Sequence, residues 1–425
     1  MIGRRKMEGF PSLMTADEAL RVLKEHLRPR VLEAESVELT AALGRTVTAD
    51  VVAPFNVPPF DRSAVEGYAV IASDTTSASV TNPVELSICG RSEAGSTPNS
   101  LPPVKRGEAV VILTGGPMPP GADAVVMVEH TKQMEERVFI HRPVGPFQNV
   151  SRRGEDFAEG ETVLRRGTRI RPWHIGAVAS LNLVRFAVQR KLRVALISTG
   201  SEVKEPGSEI KPGEIINSSK PMLTALLVDY GCEPLNLGTI PDDAASIRQA
   251  IERALDQADI VITTGGTSLG EKDLVPEILN GLGKPGVVVH GVAIRPAKPT
   301  GFAIINEKPV FMLSGYPVAA LLGYQLFVEP AIDTMRGSHR APEAKVRARL
   351  TRKVATPVGV RSFVRVRLTR KEREYYAEPL RLTGSGILSS MTKANGILVV
   401  PERTEGYDEG AEVEVTVIQP LEEAV

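Results

Sequence analysis

The sequence Ile260-Val-Ile-Thr-Thr-Gly-Gly-Thr-Ser-Leu-Gly270 is the clearest structural signal in this chain. A run of β-branched apolar residues ends in two threonines and a double glycine, which predicts a buried strand followed by a tight turn. The same pattern recurs at Leu192–Gly200 and at Val310–Gly315. Continuous apolar strands that alternate with helical segments favour a mostly parallel sheet covered on both faces. Because ligands bind beyond the carboxyl ends of such strands, we expect the three glycine turns to form one pocket.

The composition excludes several classes of function. The 425 residues include 51 basic and 51 acidic side chains, so nothing indicates an overall attraction to nucleic acid or to acidic membranes. Cys89 and Cys232 lie far apart, without the spacing of a zinc site or a disulfide framework. The first residues lack the apolar core of a signal peptide, and no apolar run is long enough to span a bilayer. We therefore predict a cytoplasmic protein that binds neither nucleic acid nor membranes.

The hydrophobic patterns predict a multidomain α/β protein. Thr15–Glu18 has the form of a capping box at the start of a helix, and Phe363–Leu368 and Val413–Val417 alternate with the period of β-strands. The predicted parts are a discontinuous N-terminal helical and linker domain (1–46 with 151–191), an inserted β-rich module (47–150), a three-layer α/β domain with a mostly parallel sheet (192–338) and a C-terminal small β-barrel (339–425).

Polar side chains surround the predicted glycine turns. Exposed backbone N–H groups at such turns, followed by a helix N-terminus, suit phosphate or another oxyanion. Arg295 and Lys298, on a proline-rich loop, would add permanent positive charge. The hydroxyl groups available as further donors are those of Thr199, Thr264, Thr267, Ser268 and Ser314.

Three acidic residues, Glu202, Asp242 and Asp273, also follow predicted strand ends on the same side of the sheet. Taken singly, each is more often a helix cap or a surface charge. Carboxylates next to phosphate repel it unless a hard cation lies between them, and Mg²⁺ bound partly by water and phosphate meets this need. Three acids that share an edge with two basic residues therefore predict a magnesium and phosphate site.

Other enzyme classes that bind nucleotides or cleave esters lack their motifs here. The chain contains neither a G-x-x-x-x-G-K-[ST] sequence nor a G-x-G-x-x-G sequence after a strand. Gly266–Gly270 does match the G-x-S-x-G turn of α/β-hydrolases. A catalytic triad would need a later histidine, and only His290, within an apolar strand, and His339, at a domain boundary, follow it. Labelling of Ser268 by a fluorophosphonate would support this alternative.

Six motifs, in order, extend over nearly the whole chain. They are Asn56-Val-Pro-Pro-Phe-Asp-Arg-Ser-Ala-Val-Glu-Gly-Tyr-Ala69, Leu113–Pro117 with Gly121–Val126, Arg153–Asp156, Ser198–Glu202, Thr264–Asp273 and Ile294–Pro299. Together they resemble the motifs of the molybdopterin molybdenumtransferase family, known as MoeA and as the E domain of gephyrin.

The resemblance implies four domains, a central domain like MogA that binds molybdopterin, and an elongated homodimer. It also implies Mg²⁺-dependent insertion of molybdate or tungstate into adenylylated molybdopterin with release of AMP, and contact with the molybdopterin adenylyltransferase. By motif match, Glu202, Asp242 and Asp273 would handle Mg²⁺ and cleavage of the adenylate, while Arg295, Lys298 and Ser314 would bind the oxyanion. The residues implied to hold the pterin, its phosphates or AMP are Thr199, Gly200, Gly265, Gly266, Thr267 and Ser268. The residues implied to close the cleft, from the partner subunit, are Asp61, Ser63, Thr114 and Asp156, of which Asp61 and Asp156 would take part in catalysis.

The chain departs from the family pattern at a few positions. Glu66 stands where the family usually has Asp, and Leu313-Ser-Gly-Tyr-Pro-Val-Ala319 replaces the usual Leu-Pro-Gly-Asn-Pro-Val-Ser. The change removes the final serine and introduces Ser314 as an alternative oxyanion donor. A gephyrin-type scaffold without catalysis and a nucleotide pyrophosphatase with the same α/β domain are the two alternative functions. Because most polar positions of the motifs are present, the enzyme is favoured over the scaffold.

Overall fold

The computed structural model describes residues 13–30, 32–266, 274–337, 343–380 and 384–423. The chain divides into two compact units, with Met1–Glu33 and Arg190–Val425 in unit 1 and Ala34–Gln189 in unit 2. Unit 1 begins with helix α1 (Ala16–His26). The Thr15 hydroxyl accepts the backbone N–H of Glu18 at 3.3 Å and the Glu18 carboxylate accepts that of Thr15 at 2.9 Å, which confirms the predicted capping box.

Unit 2 is built mainly from short strands. Its elements are β1 (Ala34–Glu38), β2 (Val51–Val52), β3 (Arg62–Ser63), β4 (Gly67–Val70), β5 (Val84–Ser92), β6 (Glu108–Ile112), β7 (Ala124–Met127), β8 (Thr131–Met134), β9 (Arg137–Ile140), β10 (Val150–Ser151), β11 (Thr162–Leu164), α2 (Pro172–Ser180) and β12 (Arg185–Gln189). Six of the strands form a sheet in the order β7-β4-β6-β5-β9-β8. Tyr68, Leu86 and Val126 lie in its core.

The remainder of unit 1 contains an α/β part and a β part. Its elements are β13 (Arg193–Thr199), β14 (Val203–Lys204), β15 (Ile215–Ile216), α3 (Ser219–Asp229), β16 (Glu233–Ile240), α4 (Ala244–Gln257), β17 (Ile260–Thr264), α5 (Leu274–Asn280), β18 (Pro285–His290), β19 (Ile294–Arg295), β20 (Gly301–Ile305), β21 (Lys308–Leu313), α6 (Pro317–Gly323), a π-helix (Tyr324–Val328), α7 (Glu329–Arg336), β22 (Lys345–Leu350), β23 (Val354–Ala355), β24 (Arg361–Lys371), β25 (Glu374–Pro379), α8 (Ser389–Thr392), β26 (Gly396–Val400), β27 (Gly406–Tyr407), β28 (Glu412–Val417) and β29 (Glu422–Glu423).

The central sheet has helices on both faces. Its order is β16-β13-β17-β21-β20-β18, in which the first four strands are parallel and the last two run antiparallel to their neighbours. Alternate residues of each strand enter opposite cores, because successive side chains of a strand point to opposite faces. Leu196 packs in the core that includes α3 and α6, and Ile197 packs in the core that includes α4 and α5. The predicted three-layer α/β arrangement with a mostly parallel sheet is confirmed.

Helix α1 packs in the core of unit 1, whereas the sequence analysis placed residues 1–46 with residues 151–191. Its apolar face, Ala16, Ala19 and Leu23, is buried in the same cluster as Leu196. Residues after Glu33 belong to unit 2, where β1 pairs antiparallel with β12. An amphipathic period shows which face of a helix is buried, but it does not show which core receives that face. The four-part division and its boundaries otherwise stay a prediction.

The C-terminal strands form a small closed barrel. Strands β24, β25, β22, β28 and β26 follow one another, and an antiparallel pairing of β24 with β26 closes the ring. Val366, Leu368 and Val415 fill the interior. Closure removes the unpaired edges that an open sheet would present, and it confirms the predicted C-terminal barrel. In the described parts of the chain, we find no helix with both the length and the apolar character needed to cross a membrane.

Candidate active site

Three parallel strands of the central sheet end level with one another. Ser198 in β13 is in register with Thr264 in β17, and Thr264 is in register with Leu313 in β21. The residues that follow in each strand or turn are therefore neighbours at one edge of the sheet. Thr199, Gly200, Gly265, Gly266 and Ser314 all lie at this edge, where the sequence placed the pocket.

The turn after β17 requires glycine at two positions. Gly265 and Gly266 have φ values of 88° and 64°, in the left-handed region that favours glycine. A Cβ on Gly265 would lie 2.6 Å from the carbonyl oxygen of Thr199, and one on Gly266 would lie 3.0 Å from the Thr199 Oγ1. The absence of both side chains thus lets the turn pack directly against the end of β13.

A buried hydrogen-bond network fixes these strand ends. Ser198 Oγ and Thr264 Oγ1 are 3.0 Å apart, and the side-chain amide of Asn217 donates to Ser198 Oγ at 2.8 Å. The Asn217 carbonyl oxygen accepts the backbone N–H of Lys220 at 3.1 Å, in the first turn of α3. Ser219 donates to the carbonyl oxygen of Gly315 at 2.8 Å. Helix α3 is thereby tied to all three strand ends.

The network at the start of α3 is not among the sites expected from the sequence. Three consecutive polar residues, Asn217, Ser218 and Ser219, precede the apolar face of the helix. Asn217 and Ser219 are 5 % and 3 % exposed, which is unusual for polar side chains. This polar run between two apolar segments could have indicated a buried network, but such a run does not distinguish a helix cap from a link between strands.

Thr199 differs from its neighbour Ser198 in one respect. It is 4 % exposed, and its hydroxyl is buried without a hydrogen-bond partner among the described residues. A buried hydroxyl without a partner costs free energy, and native proteins seldom retain one without a reason. Since this hydroxyl lies against the Gly265–Gly266 turn, it has a donor available for a ligand held by that turn.

Two of the three predicted acids lie in loops after neighbouring strands at this edge. Glu202 is exposed and follows β13, and Asp242, after β16, accepts the backbone N–H of Ser201 at 3.2 Å. Asp243, not Asp242, caps α4, because its carboxylate accepts the N–H of Ser246 at 2.8 Å. Asp242 is thus not the helix cap. Its bond to Ser201 connects the loops that follow β13 and β16.

Asp273, Thr267 and Ser268 lie outside the described residues. Within the described ranges, which omit 267–273, there is no group of three His, Cys, Asp or Glu side chains close enough to hold a metal ion. Mg²⁺ commonly takes only one or two protein carboxylates and completes its shell with water and substrate phosphate. Asp242 contacts the residue next to Glu202, so the number of carboxylates in these two loops agrees with this mode of binding.

An ion pair forms at the start of α3. The ammonium group of Lys220, whose side chain is 8 % exposed, contacts the carboxylate of Glu205. The Thr239 hydroxyl donates to the same carboxylate at 2.7 Å. The hydrogen bond from Lys220 and that from Thr239 lower the pKa of Glu205, against the opposing effect of burial. This pair braces α3 against β16, and sequence reasoning missed it because the three residues are far apart in the chain.

The cationic loop lies at the same edge of the sheet. Strand β20 begins at Gly301, opposite Met312 near the end of β21, so the residues just before Gly301 adjoin the strand ends. The backbone N–H of Val292 donates to the carbonyl oxygen of Lys298 at 3.0 Å, which closes the loop. Arg295 and Lys298 are both exposed. The loop that carries both cations thus leads into β20 at this edge of the sheet, and their part in the pocket stays a prediction.

The positions that depart from the family pattern have distinct surroundings. Ser314 is 6 % exposed, and its hydroxyl oxygen accepts the backbone N–H of Tyr316 at 3.2 Å, just before α6. Its O–H donor is not used in that bond. Ala319 is 1 % exposed within α6 and belongs to the core, while Glu66 is exposed in unit 2.

Unit 2 gathers the other predicted residues in one cluster of loops. The carboxylate of Asp61 accepts the backbone N–H of Arg153 at 2.6 Å, and the N–H of Asp156 donates to the carbonyl oxygen of Val57 at 3.0 Å. Both carboxylates are exposed. Two segments that are about ninety residues apart in the chain, one with Asp61 and the other with Asp156, are thus hydrogen-bonded to each other.

Ser63 and Thr114 belong to the same cluster. The backbone N–H of Ser63 donates to Gly116 at 2.9 Å and that of Gly115 donates to Ser63 at 2.8 Å, which pairs the two loops. Thr114 is exposed, but Ser63 is 1 % exposed and its hydroxyl donates to the carbonyl oxygen of Val65 at 2.5 Å. In this structure the Ser63 hydroxyl stabilises its own turn.

Comparison with known families covers most of the chain. Residues 14–182 match the MoeA N-terminal region (domain I and II), residues 195–334 match a probable molybdopterin binding domain, and residues 347–418 match the MoeA C-terminal region (domain IV). These matches follow the chain in the order of the motifs, and they agree with the central α/β domain and the C-terminal barrel.

Individual proteins give the same result. The chain is 37% identical to a putative molybdopterin biosynthesis protein of Methanocaldococcus jannaschii, over 97% of this chain and 100% of the relative. It is 36% identical to the molybdopterin molybdenumtransferase of Bacillus subtilis, over 91% of this chain and 90% of the relative. A crystal structure of the molybdopterin biosynthesis MoeA protein from Pyrococcus horikoshii superposes with a TM-score of 0.80 at 35% identity, covering 96% of this chain and 100% of that one.

Proposed function

We propose, since this chain belongs to the MoeA family, that it is a molybdopterin molybdenumtransferase that acts in molybdenum cofactor biosynthesis. The observation that carries this proposal is that three strands end at one edge of the sheet, where the Gly265–Gly266 turn lies beside Thr199, whose hydroxyl has no hydrogen-bond partner among the described residues. Exposed turn N–H groups and a spare hydroxyl donor are suited to phosphate. These groups suit a substrate that carries phosphate, which favours an enzyme over a purely structural protein.

The substrate that fits this edge is adenylylated molybdopterin. The backbone of Gly200, Gly265 and Gly266 would hold its phosphates or pterin, together with the hydroxyl groups of Thr199, Thr267 and Ser268. The N–H groups are positioned before the substrate arrives, because Asn217 and Ser219 fix the strand ends. Groups that are already oriented stabilise developing charge without first having to reorganise.

Glu202, Asp242 and Asp273 would hold Mg²⁺ at the phosphates. When bound, the ion would neutralise charge on the pyrophosphate and so favour loss of AMP. The structure supports the assignment of Asp242 through its contact with Ser201, which places the carboxylate beside the loop that carries Glu202. Asp243 is occupied as a helix cap and has no such role.

Arg295, Lys298 and Ser314 would hold molybdate or tungstate. These anions are tetrahedral and doubly charged, so two cations and a hydroxyl donor on neighbouring loops suit them. The cations would also offset the charge that builds up as oxo groups exchange for the sulfur atoms of the dithiolene.

Asp61, Ser63, Thr114 and Asp156 of a second subunit would complete the site in a homodimer. This part of the proposal rests on the family motifs, with support from the way that unit 2 gathers the four residues. Asp61 and Asp156 would act in catalysis, and Thr114 would contact the substrate. Ser63 would do so only if its buried hydroxyl left the carbonyl oxygen of Val65. We also propose a cytoplasmic location and contact with the adenylyltransferase that would supply the substrate.

The experiment that tests the proposal measures AMP release from adenylylated molybdopterin with Mg²⁺, with and without molybdate or tungstate. Asp242→Asn is the test variant and Asp243→Asn is its matched control, because asparagine still caps a helix. We expect Asp242→Asn to lose about 100-fold in rate and Asp243→Asn to stay within about twofold of the wild type. No AMP release with either oxyanion would refute the transferase. Cleavage of simple dinucleotides without molybdate would instead support a pyrophosphatase.

A further inference from the structure

The segment that leads into the cationic loop is held on both sides. The backbone N–H of Ala293 donates to the carbonyl oxygen of Met14 at 2.7 Å, in the residues just before α1. On the other side, β19 pairs parallel with the first residues of β24, with Ile294 opposite Arg361 and Arg295 opposite Ser362. The strand that ends at Arg295 is therefore an extra strand on the barrel sheet, and the position of Arg295 depends on the position of the barrel.

An ion pair joins the two elements that hold this segment. The guanidinium of Arg361, at the start of β24, donates to both carboxylate oxygens of Asp17 in the first turn of α1, at 2.9 and 2.7 Å. Its Nε lies 3.0 Å from the carboxylate of Glu402. Two parallel N–H···O bonds fix the relative orientation of the partners more strictly than one contact does.

These contacts join three segments to one another. The segment at Ala293 bonds to Met14 before α1, Ile294 pairs with Arg361 in β24, and Arg361 bonds to Asp17 in α1. Arg295 also shares a cavity of about 90 Å³ with Ser362 and other barrel residues, so its immediate surroundings include the barrel. A shift of β24 away from α1 would move the backbone that carries Arg295.

We propose that Arg361 is a positioning residue that, through its ion pair with Asp17, fixes Arg295 and the adjoining Lys298 loop for oxyanion binding. This inference rests on the proposed function, because it takes the loop to be the oxyanion site. Arg361 itself does not contact the substrate. Its loss affects how well the loop is placed, so the affinity for molybdate falls while the chemistry that follows binding is unchanged.

The test is equilibrium dialysis of molybdate against the full-length protein, read by metal analysis, for wild type, Arg361→Gln and Asp17→Asn. We expect each variant to raise the Kd for molybdate about tenfold, as is typical when a supporting residue behind a binding group is removed. The double variant should be no worse than Arg361→Gln alone, because that variant already removes the pair with Asp17. AMP release at saturating molybdate should keep its kcat.

Two further variants serve as controls, one for the loss of an ion pair elsewhere in the barrel and one for the oxyanion site itself. Arg352→Gln removes another barrel ion pair, Arg352 with Glu378 at 2.9 Å, and should leave the Kd within about twofold of the wild type. Arg295→Gln should weaken molybdate binding directly. An unchanged Kd in Arg361→Gln, or an equal rise in Arg352→Gln, would overturn the positioning role. If Arg295→Gln also had no effect, the oxyanion assignment in the proposed function would fail as well.

Discussion

Replacement of Thr199 by valine tests whether the Thr199 hydroxyl binds a ligand or stabilises the fold. Valine has nearly the same shape as threonine, so Thr199→Val removes little besides the hydroxyl. In the described structure that hydroxyl is buried and has no partner, whereas the adjacent Ser198 hydroxyl is bonded to both Asn217 and Thr264. The two neighbouring residues therefore predict opposite results for stability and for binding.

The magnitudes follow from the hydrogen bonds present. Thr199→Val removes an unpaired buried group and should leave the free energy of unfolding unchanged or raise it by up to about 1 kcal/mol. A hydrogen bond to a charged phosphate contributes about 1.5–3 kcal/mol, so the variant should bind adenylylated molybdopterin roughly 10- to 100-fold more weakly. Ser198→Ala leaves the amide of Asn217 and the hydroxyl of Thr264 without their partner, and it should lower stability by about 1–3 kcal/mol.

Two assays check this prediction. Urea unfolding of the protein alone reports stability, and isothermal titration with adenylylated molybdopterin reports affinity for each variant. A loss of stability in Thr199→Val as large as that in Ser198→Ala would contradict the reasoning. So would retention of wild-type affinity in a folded Thr199→Val protein, because the hydroxyl would then have no role in binding.

Three further outcomes are expected. Gly265→Ala, at a φ of 88°, should cost about 1–3 kcal/mol of stability and abolish AMP release, and a variant with wild-type activity would exclude the turn from the site. Burial raises the pKa of Asp259, but hydrogen bonds, chiefly from Arg190, outweigh burial and leave that pKa lowered. The pair therefore stabilises the fold above the ordinary carboxyl pKa of about 4, and this stabilisation is lost as the pH falls through the lower pKa of the folded state. Urea unfolding should show Asp259→Asn destabilised by about 2 kcal/mol at pH 7, with the difference shrinking below pH ~4; an unchanged difference would count against the pair. Burial raises the pKa of Cys232 to about 11, so a thiol reagent at pH 8 should modify the exposed Cys89 first and Cys232 only after denaturation.

The part of the fold that follows from local pattern could be predicted from the sequence. The apolar run ending in Thr264 and Gly265 identified a buried parallel strand and the turn beyond it, because burial on both faces and a left-handed turn each restrict residue type. The capping box at Thr15 is equally local, since its two partners are three residues apart.

Features that depend on distant partners could not be predicted in this way. Asn217 reaches Ser198 only once α3 has folded back onto the sheet, and no spacing rule connects the two residues. The sequence also does not decide which of Asp242 and Asp243 caps α4, because adjacent acids offer the same chemistry and the folded backbone selects Asp243. The same holds for the core that receives α1.

The discontinuity of unit 1 has a consequence during synthesis on the ribosome. Helix α1 emerges first, but the core that buries its apolar face is encoded after Arg190. All of unit 2 is made in between, and at roughly 5–20 residues per second this takes on the order of ten seconds or more. The apolar face of α1 therefore cannot be buried in its native core until that interval has passed.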